Sequence, residues 1–134
     1  MDARLKTIAE TCLEGAESGA MTFPQIIGTL MKEGFDGYSV DCRRGAATYY
    51  LSCDSVDLPT HRTATPIAAA FDATAVQAAI REAQQLVPGQ TYAGFCKKVM
   101  TAGYAGYIVS FPGPRVVYYG RDAETHVERF PPRP

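Results

Sequence analysis

The stretch Glu124-Thr125-His126-Val127-Glu128 holds the densest set of chemistry-bearing side chains in this 134-residue chain. Side chains alternate along a strand, so Glu124, His126 and Glu128 would project from one side. Two carboxylates flanking an imidazole can tune a general base or contribute to a divalent metal site. A metal needs three or four converging ligands, and no second histidine stands nearby, so neither a metal nor a cofactor is assigned. The plainer reading is a polar strand face with Val127 alone entering the core.

A second set combines arginine with tyrosine. Arg43, Arg44, Arg115 and Arg121 lie at or beside two hairpins in which Tyr49, Tyr50, Tyr118 and Tyr119 recur. Guanidinium forks and aromatic rings together suit a small anionic ligand, and Tyr50, Tyr119, Arg121 and Asp41 are its candidate contacts. Arginines in turns are more often simply solvated. His61 has no visible partner.

Cysteine chemistry finds little support. Cys42 or Cys53 with His126 would supply a nucleophile and a base, but neither cysteine opens a helix and no GxSxG motif occurs. Cys12, Cys42, Cys53 and Cys96 show no CxxC spacing, which predicts reduced thiols, with Cys12 and Cys96 as small apolar fillers on helices. Phosphate loops and dinucleotide fingerprints are missing too. An enzyme is therefore the lesser expectation, and a binding or accessory protein the greater.

Bulk properties narrow the partners. A formal charge of −1 removes the attraction on which non-specific nucleic-acid binders rely. No uncharged apolar run approaches the ~20 residues of a membrane span, and Met1-Asp2-Ala3-Arg4-Leu5 lacks the apolar core of a signal peptide. A cytoplasmic protein forming a single domain over residues 1–134 is expected.

The elements that must position these residues come twice. Thr22 to Tyr50 recur as Thr91 to Tyr119 at a constant offset of 69, with eight of 29 positions identical, among them the Gly34/Gly103, Gly37/Gly106 and Tyr50/Tyr119 pairs. This predicts an internal duplication, with repeat 1 over about 1–59, a connector over about 60–71 and repeat 2 over about 72–131. Phe23, Ile26, Ile27, Leu30 and Met31 form one helical stripe, matched by Tyr92, Phe95, Cys96, Val99 and Met100. Thr22 with Gln25 offers a capping box, Thr91 a simple cap, and Gly34 and Gly103 the left-handed stops.

Further helices are expected over 3–18 and 73–87, the second capped by Asp72 and stopped by Pro88-Gly89. Strands are expected over Gly37–Cys42, Ala47–Cys53, Gly106–Phe111 and Arg115–Gly120, with third strands at Ser55–Pro59 and His126–Pro131. Each unit reads ααβββ. The fold class is α+β, an antiparallel sheet with helices packed on one face.

With Arg44-Gly45 as a two-residue turn, Val40 would pair with Tyr49. Tyr38, Val40, Cys42, Ala47, Tyr49 and Leu51 then share the helix-covered face with Tyr107, Val109, Phe111, Val116 and Tyr118. The opposite face receives Ser39, Asp41, Thr48, Tyr50 and Ser52, and Ile108, Ser110, Val117, Tyr119 and Arg121. Ile108, Val117 and two tyrosines are more apolar than water requires, so a homodimer partner, the connector or a ligand is expected to cover part of it.

The runs Thr22-Phe23-Pro24, Gly37-Tyr38-Ser39-Val40-Asp41, Thr48-Tyr49-Tyr50, Val76-Gln77-Ala78-Ala79-Ile80-Arg81, Arg115-Val116-Val117-Tyr118-Tyr119-Gly120-Arg121 and Glu124 to Pro131 resemble the YbcV-like family of small bacterial proteins over nearly the whole chain. Some members carry the label phage envelope protein, which names no chemistry. The resemblance implies one domain and a bacterial cytosolic setting, and it supplies no catalytic residues. Where many members have glycine before the Glu-x-His-Val-Glu stretch, this chain has Ala123, a residue that disfavours a tight turn.

Overall fold

Local signals set most of the element boundaries. In the computed structural model, which describes residues 1–60, 65–84 and 91–130, α1 spans Ala3–Ser18, opened by Asp2 accepting from the Arg4 amide and ended by Gly19 at φ 79°. Helix α2 spans Phe23–Lys32, and its capping box is formed in both directions: Thr22 accepts from the Gln25 amide and Gln25 from the Thr22 amide. Its stop is Gly34 at φ 90°, after which the Phe35 amide reaches back to the Leu30 carbonyl at 3.0 Å, closing a Schellman motif. Helix α3 spans Ala73–Gln84 and α4 Tyr92–Thr101. Asp72 and Thr91 accept from the Ala75 and Gly94 amides at their starts. His61 and the Pro88-Gly89 stop lie outside the described residues.

The strands are β1 Gly37–Asp41, β2 Ala46–Tyr50, β3 Ser55–Pro59, β4 Tyr104–Ser110, β5 Arg115–Gly120 and β6 Thr125–Arg129. They form one six-stranded sheet in the order β3-β2-β1-β4-β5-β6, antiparallel at every pairing. The element order is ααβββ, then ααβββ again. The two halves meet at β1 and β4, where Ser39 lies opposite Ile108, the residue 69 positions later (108 − 39).

Helices cover one face. Tyr38, Val40, Ala47, Tyr49, Val109, Phe111 and Val116 are buried with residues of α1 and α2, while Tyr104 is buried with residues of α3 and α4. Tyr107 and Tyr118 pack against both clusters, so the two helix pairs share one continuous floor. The face assignment read from alternation holds for this side, down to Cys42 and Leu51 at its margins.

Three expectations are corrected. The first hairpin pairs Tyr38 with Tyr49 and Val40 with Ala47, a slide of two residues from the Val40–Tyr49 register. The Asp41 carboxylate accepts from the Arg43 and Arg44 amides at 2.9 and 3.1 Å, and this Asx arrangement favours a longer turn than Arg44-Gly45 alone. Val127 does not enter the core; it is 45% exposed on the open face, and His126 and Glu128 take the helix side. Ala123 does form the tight turn, at φ 68°, with its amide bonded to the Gly120 carbonyl.

The connector is irregular where it is described. Ala68 and Asp72 donate to the Met100 and Ala102 carbonyls, and Ile67 and Phe71 pack against the α3/α4 cluster. Its described part therefore seals the helix-side core rather than the open face. Gly103 sits beneath it at φ 92°, where a Cβ would overlap the Ala70 carbonyl.

Candidate functional site

The open face is built by strand register. One continuous row crosses all six strands: Asp57, Thr48, Ser39, Ile108, Val117 and Val127. To one side runs Ser55, Tyr50, Gly37, Ser110, Arg115 and Arg129, and to the other Pro59, Ala46, Asp41, Gly106, Tyr119 and Thr125. Along the central row the β1–β3 half is polar and the β4–β6 half apolar.

The polar half satisfies itself. Thr48 donates to Asp57 at 2.6 Å, Ser39 and Tyr50 share a hydroxyl hydrogen bond at 3.3 Å, and Asp41 serves the hairpin amides. Asp41 and Asp57 each accept through Oδ1, so these bonds tie the polar half together within the sheet. In the β4–β6 half the central row has no polar side chain to close in this way. Ile108 is 48% exposed and Val127 45%, with the half-buried Val117 between them. With Tyr50 at 41%, these are the exposed large hydrophobic residues among those described, and all three stand on this one face.

Tyr119 borders the apolar patch. Its ring lies over Gly106, where a Cβ would overlap both the Val40 carbonyl of the neighbouring strand and the phenol. Burial raises the Tyr119 pKa above its ordinary value, and the Asp41 carboxylate nearby acts in the same direction. Tyr50, Tyr119 and Asp41 thus occupy the open face as expected. Arg121 lies past the end of β5, where its Nε donates to the Ala68 carbonyl at 3.4 Å and ties down the connector.

Residues 11–128 match the family described as "Protein of unknown function (DUF1398)". The chain belongs to that family. No curated protein matches it. Membership of DUF1398 brings no assigned activity, so the geometry carries the functional reading.

The His126 cluster of this DUF1398 chain is a pair rather than a triad. His126 Nε2 and Glu128 Oε1 are 3.1 Å apart, and the imidazole stacks on Tyr118 with ring centroids 6.3 Å apart. Behind it runs an aromatic file, Tyr118–Tyr107–Tyr38–Tyr49, with centroids 5.8, 6.1 and 5.2 Å apart. Glu124 is exposed, and among the described residues no three His, Cys, Asp or Glu side chains converge as a metal-holding group. The pair closes the edge of the helix-side core, where a hydrogen-bonded His126–Glu128 contact and a stacked ring screen Tyr118.

The other candidates are spread out. The cysteines are free, and burial pushes the Cys42 thiol up to about 12, the reverse of what a nucleophile requires. A groove of about 440 Å³ between α3 and α4 is lined by Ala75, Ala78, Ala79, Glu82, Lys97, Lys98 and Thr101, and His126, Tyr50, Tyr118 and Tyr119 are not among its lining residues. No described helix is long and apolar enough to cross a membrane.

Proposed function

We propose that this DUF1398 chain is a non-enzymatic binding or accessory protein, acting in the bacterial cytosol, that engages a macromolecule through the β4–β6 half of its open sheet face. One observation carries the reading: Ile108, Val117 and Val127 form an unbroken cross-strand apolar row with no helix over it among the described residues. A flat array of this kind suits another protein better than a small molecule, which needs a concave site to bury most of its surface. The doubled ααβββ order supports an origin by internal duplication, with the second copy exchanging Thr48 and Ser39 for Val117 and Ile108 at equivalent places. On this account one copy kept a solvated face and the other acquired a sticky one.

A photo-crosslinking benzophenone side chain at Thr125, beside Val127, is expected to give a discrete adduct in the producing cell. The same group at Arg81, on the exposed side of α3, is expected to give none. Ile108→Glu with Val127→Glu should abolish the Thr125 adduct while lowering the melting temperature by no more than several degrees, since both side chains are about half exposed. Absence of any Thr125 adduct would overturn the proposal.

A further inference from the structure

Arg115 and Arg129 are direct cross-strand partners. Both share the parity of Val117 and Val127, so both stand on the open face, at the border of the apolar row. Like charges placed opposite each other work against strand pairing. Neither arginine joins an ion pair among the described residues. Among the described residues Arg115 bonds only through its Nε, donating to the Gly113 carbonyl at 2.8 Å, which orients the guanidinium and engages neither terminal nitrogen. The β4–β6 half therefore presents two cations beside an apolar row, and its open face contains no carboxylate from these strands.

Resting on the binding role proposed above, we propose that the partner is a different protein, docking a segment in which acidic residues adjoin apolar ones. Its carboxylates meet Arg115 and Arg129 while its apolar side chains cover Ile108, Val117 and Val127. Guanidinium forks bind carboxylates bidentately, and they do so more strongly once neighbouring apolar contacts exclude water.

A second copy of this chain fits less well. In a twofold face-to-face pairing with its axis along the apolar row, Arg115 would meet Tyr119 and Arg129 would meet Thr125. With the axis along β5, Arg115 would meet Arg115. Neither arrangement brings a carboxylate to the arginines. A polyanionic surface, whether nucleic acid or membrane, would also lie against Asp41 and Asp57 in the same array, which oppose it.

The test uses the Thr125 adduct in the producing cell. Arg115→Gln with Arg129→Gln should lower its yield by about tenfold, Arg129→Gln alone should lower it less, and Arg115→Lys with Arg129→Lys should restore part of it. An unchanged melting temperature for Arg129→Gln is expected to separate lost contact from lost fold, because the Arg129 side chain makes no hydrogen bond among the described residues. The cross-linked peptide should contain Asp or Glu beside apolar residues. An adduct of full yield in the glutamine variants would overturn the acidic partner while leaving the apolar docking face standing, and an adduct of twice the chain mass would identify a second copy instead. Absence of any adduct would remove both proposals together.

Discussion

Ala123 holds a left-handed backbone at φ 68°, a conformation that crowds the Cβ of an L-residue against its own carbonyl. The turn persists because its surroundings hold it. The Ala123 amide bonds to the Gly120 carbonyl, the Gly120 amide to the Glu124 carbonyl, and Asp122 accepts from both Glu124 and Phe71. Ala123→Gly should therefore stabilise the protein by about 1 kcal/mol, the relief of strain exceeding the added freedom of the unfolded chain. A lower urea midpoint for this variant would contradict the strained-turn account. The same scale explains Asp41: its type suggested a ligand contact, yet its carboxylate serves two turn amides, a local role that sequence spacing also permits.

At the scale of elements, helices were legible and registers were not. The α2 stripe, its cap and its glycine stop are all encoded within about a dozen residues, so no distant partner was needed to read them. Thr22→Ala should cost about 1 kcal/mol, and Gln25→Ala, which removes only the return bond of the box, should cost less; equal losses in denaturant titrations would argue against a two-way box. Hairpin register is different. A slide of two residues keeps every side chain on its face, so the apolar pattern of β1 and β2 is blind to it. On β6 the pattern was too weak to choose a face, with Val127 the one apolar residue among Thr125, His126, Glu128 and Arg129. Pairing of Val127 with Val117 and stacking of His126 on Tyr118 made the choice.

At the scale of the whole molecule, the shared floor beneath the helices sets a pH response. Burial raises the Cys42 thiol from 9.0 to about 12, and raises the Tyr49 and Tyr118 phenols well above their ordinary value of 10.0. The unfolded chain then releases these protons near pH 9 to 10 while the folded chain retains them. The folded state binds more protons there, so stability falls as pH rises. Urea midpoints should hold steady through neutral pH, drop from about pH 9 upward, and drop later in Cys42→Ala. A midpoint that rises between pH 9 and 11 would show that these groups are not buried together.

The sequence by itself determined the helices, the caps of α2, α3 and α4, the glycine stops of α2 and α4, the doubled ααβββ order and which strand residues lie beneath the helices. Those features depend on contacts a few residues apart or on alternation along one strand. It also marked Ile108, Val117, Tyr50 and Tyr119 as apolar beyond need. Only the tertiary structure decided that Val127 joins Ile108 and Val117 in one row, that Arg129 stands beside Arg115, and that Glu124 stays out of the His126–Glu128 pair. Each of these depends on the lateral order and register of strands far apart in the chain. Side-chain identity fixes which face a residue favours, and backbone pairing across the sheet fixes its neighbours.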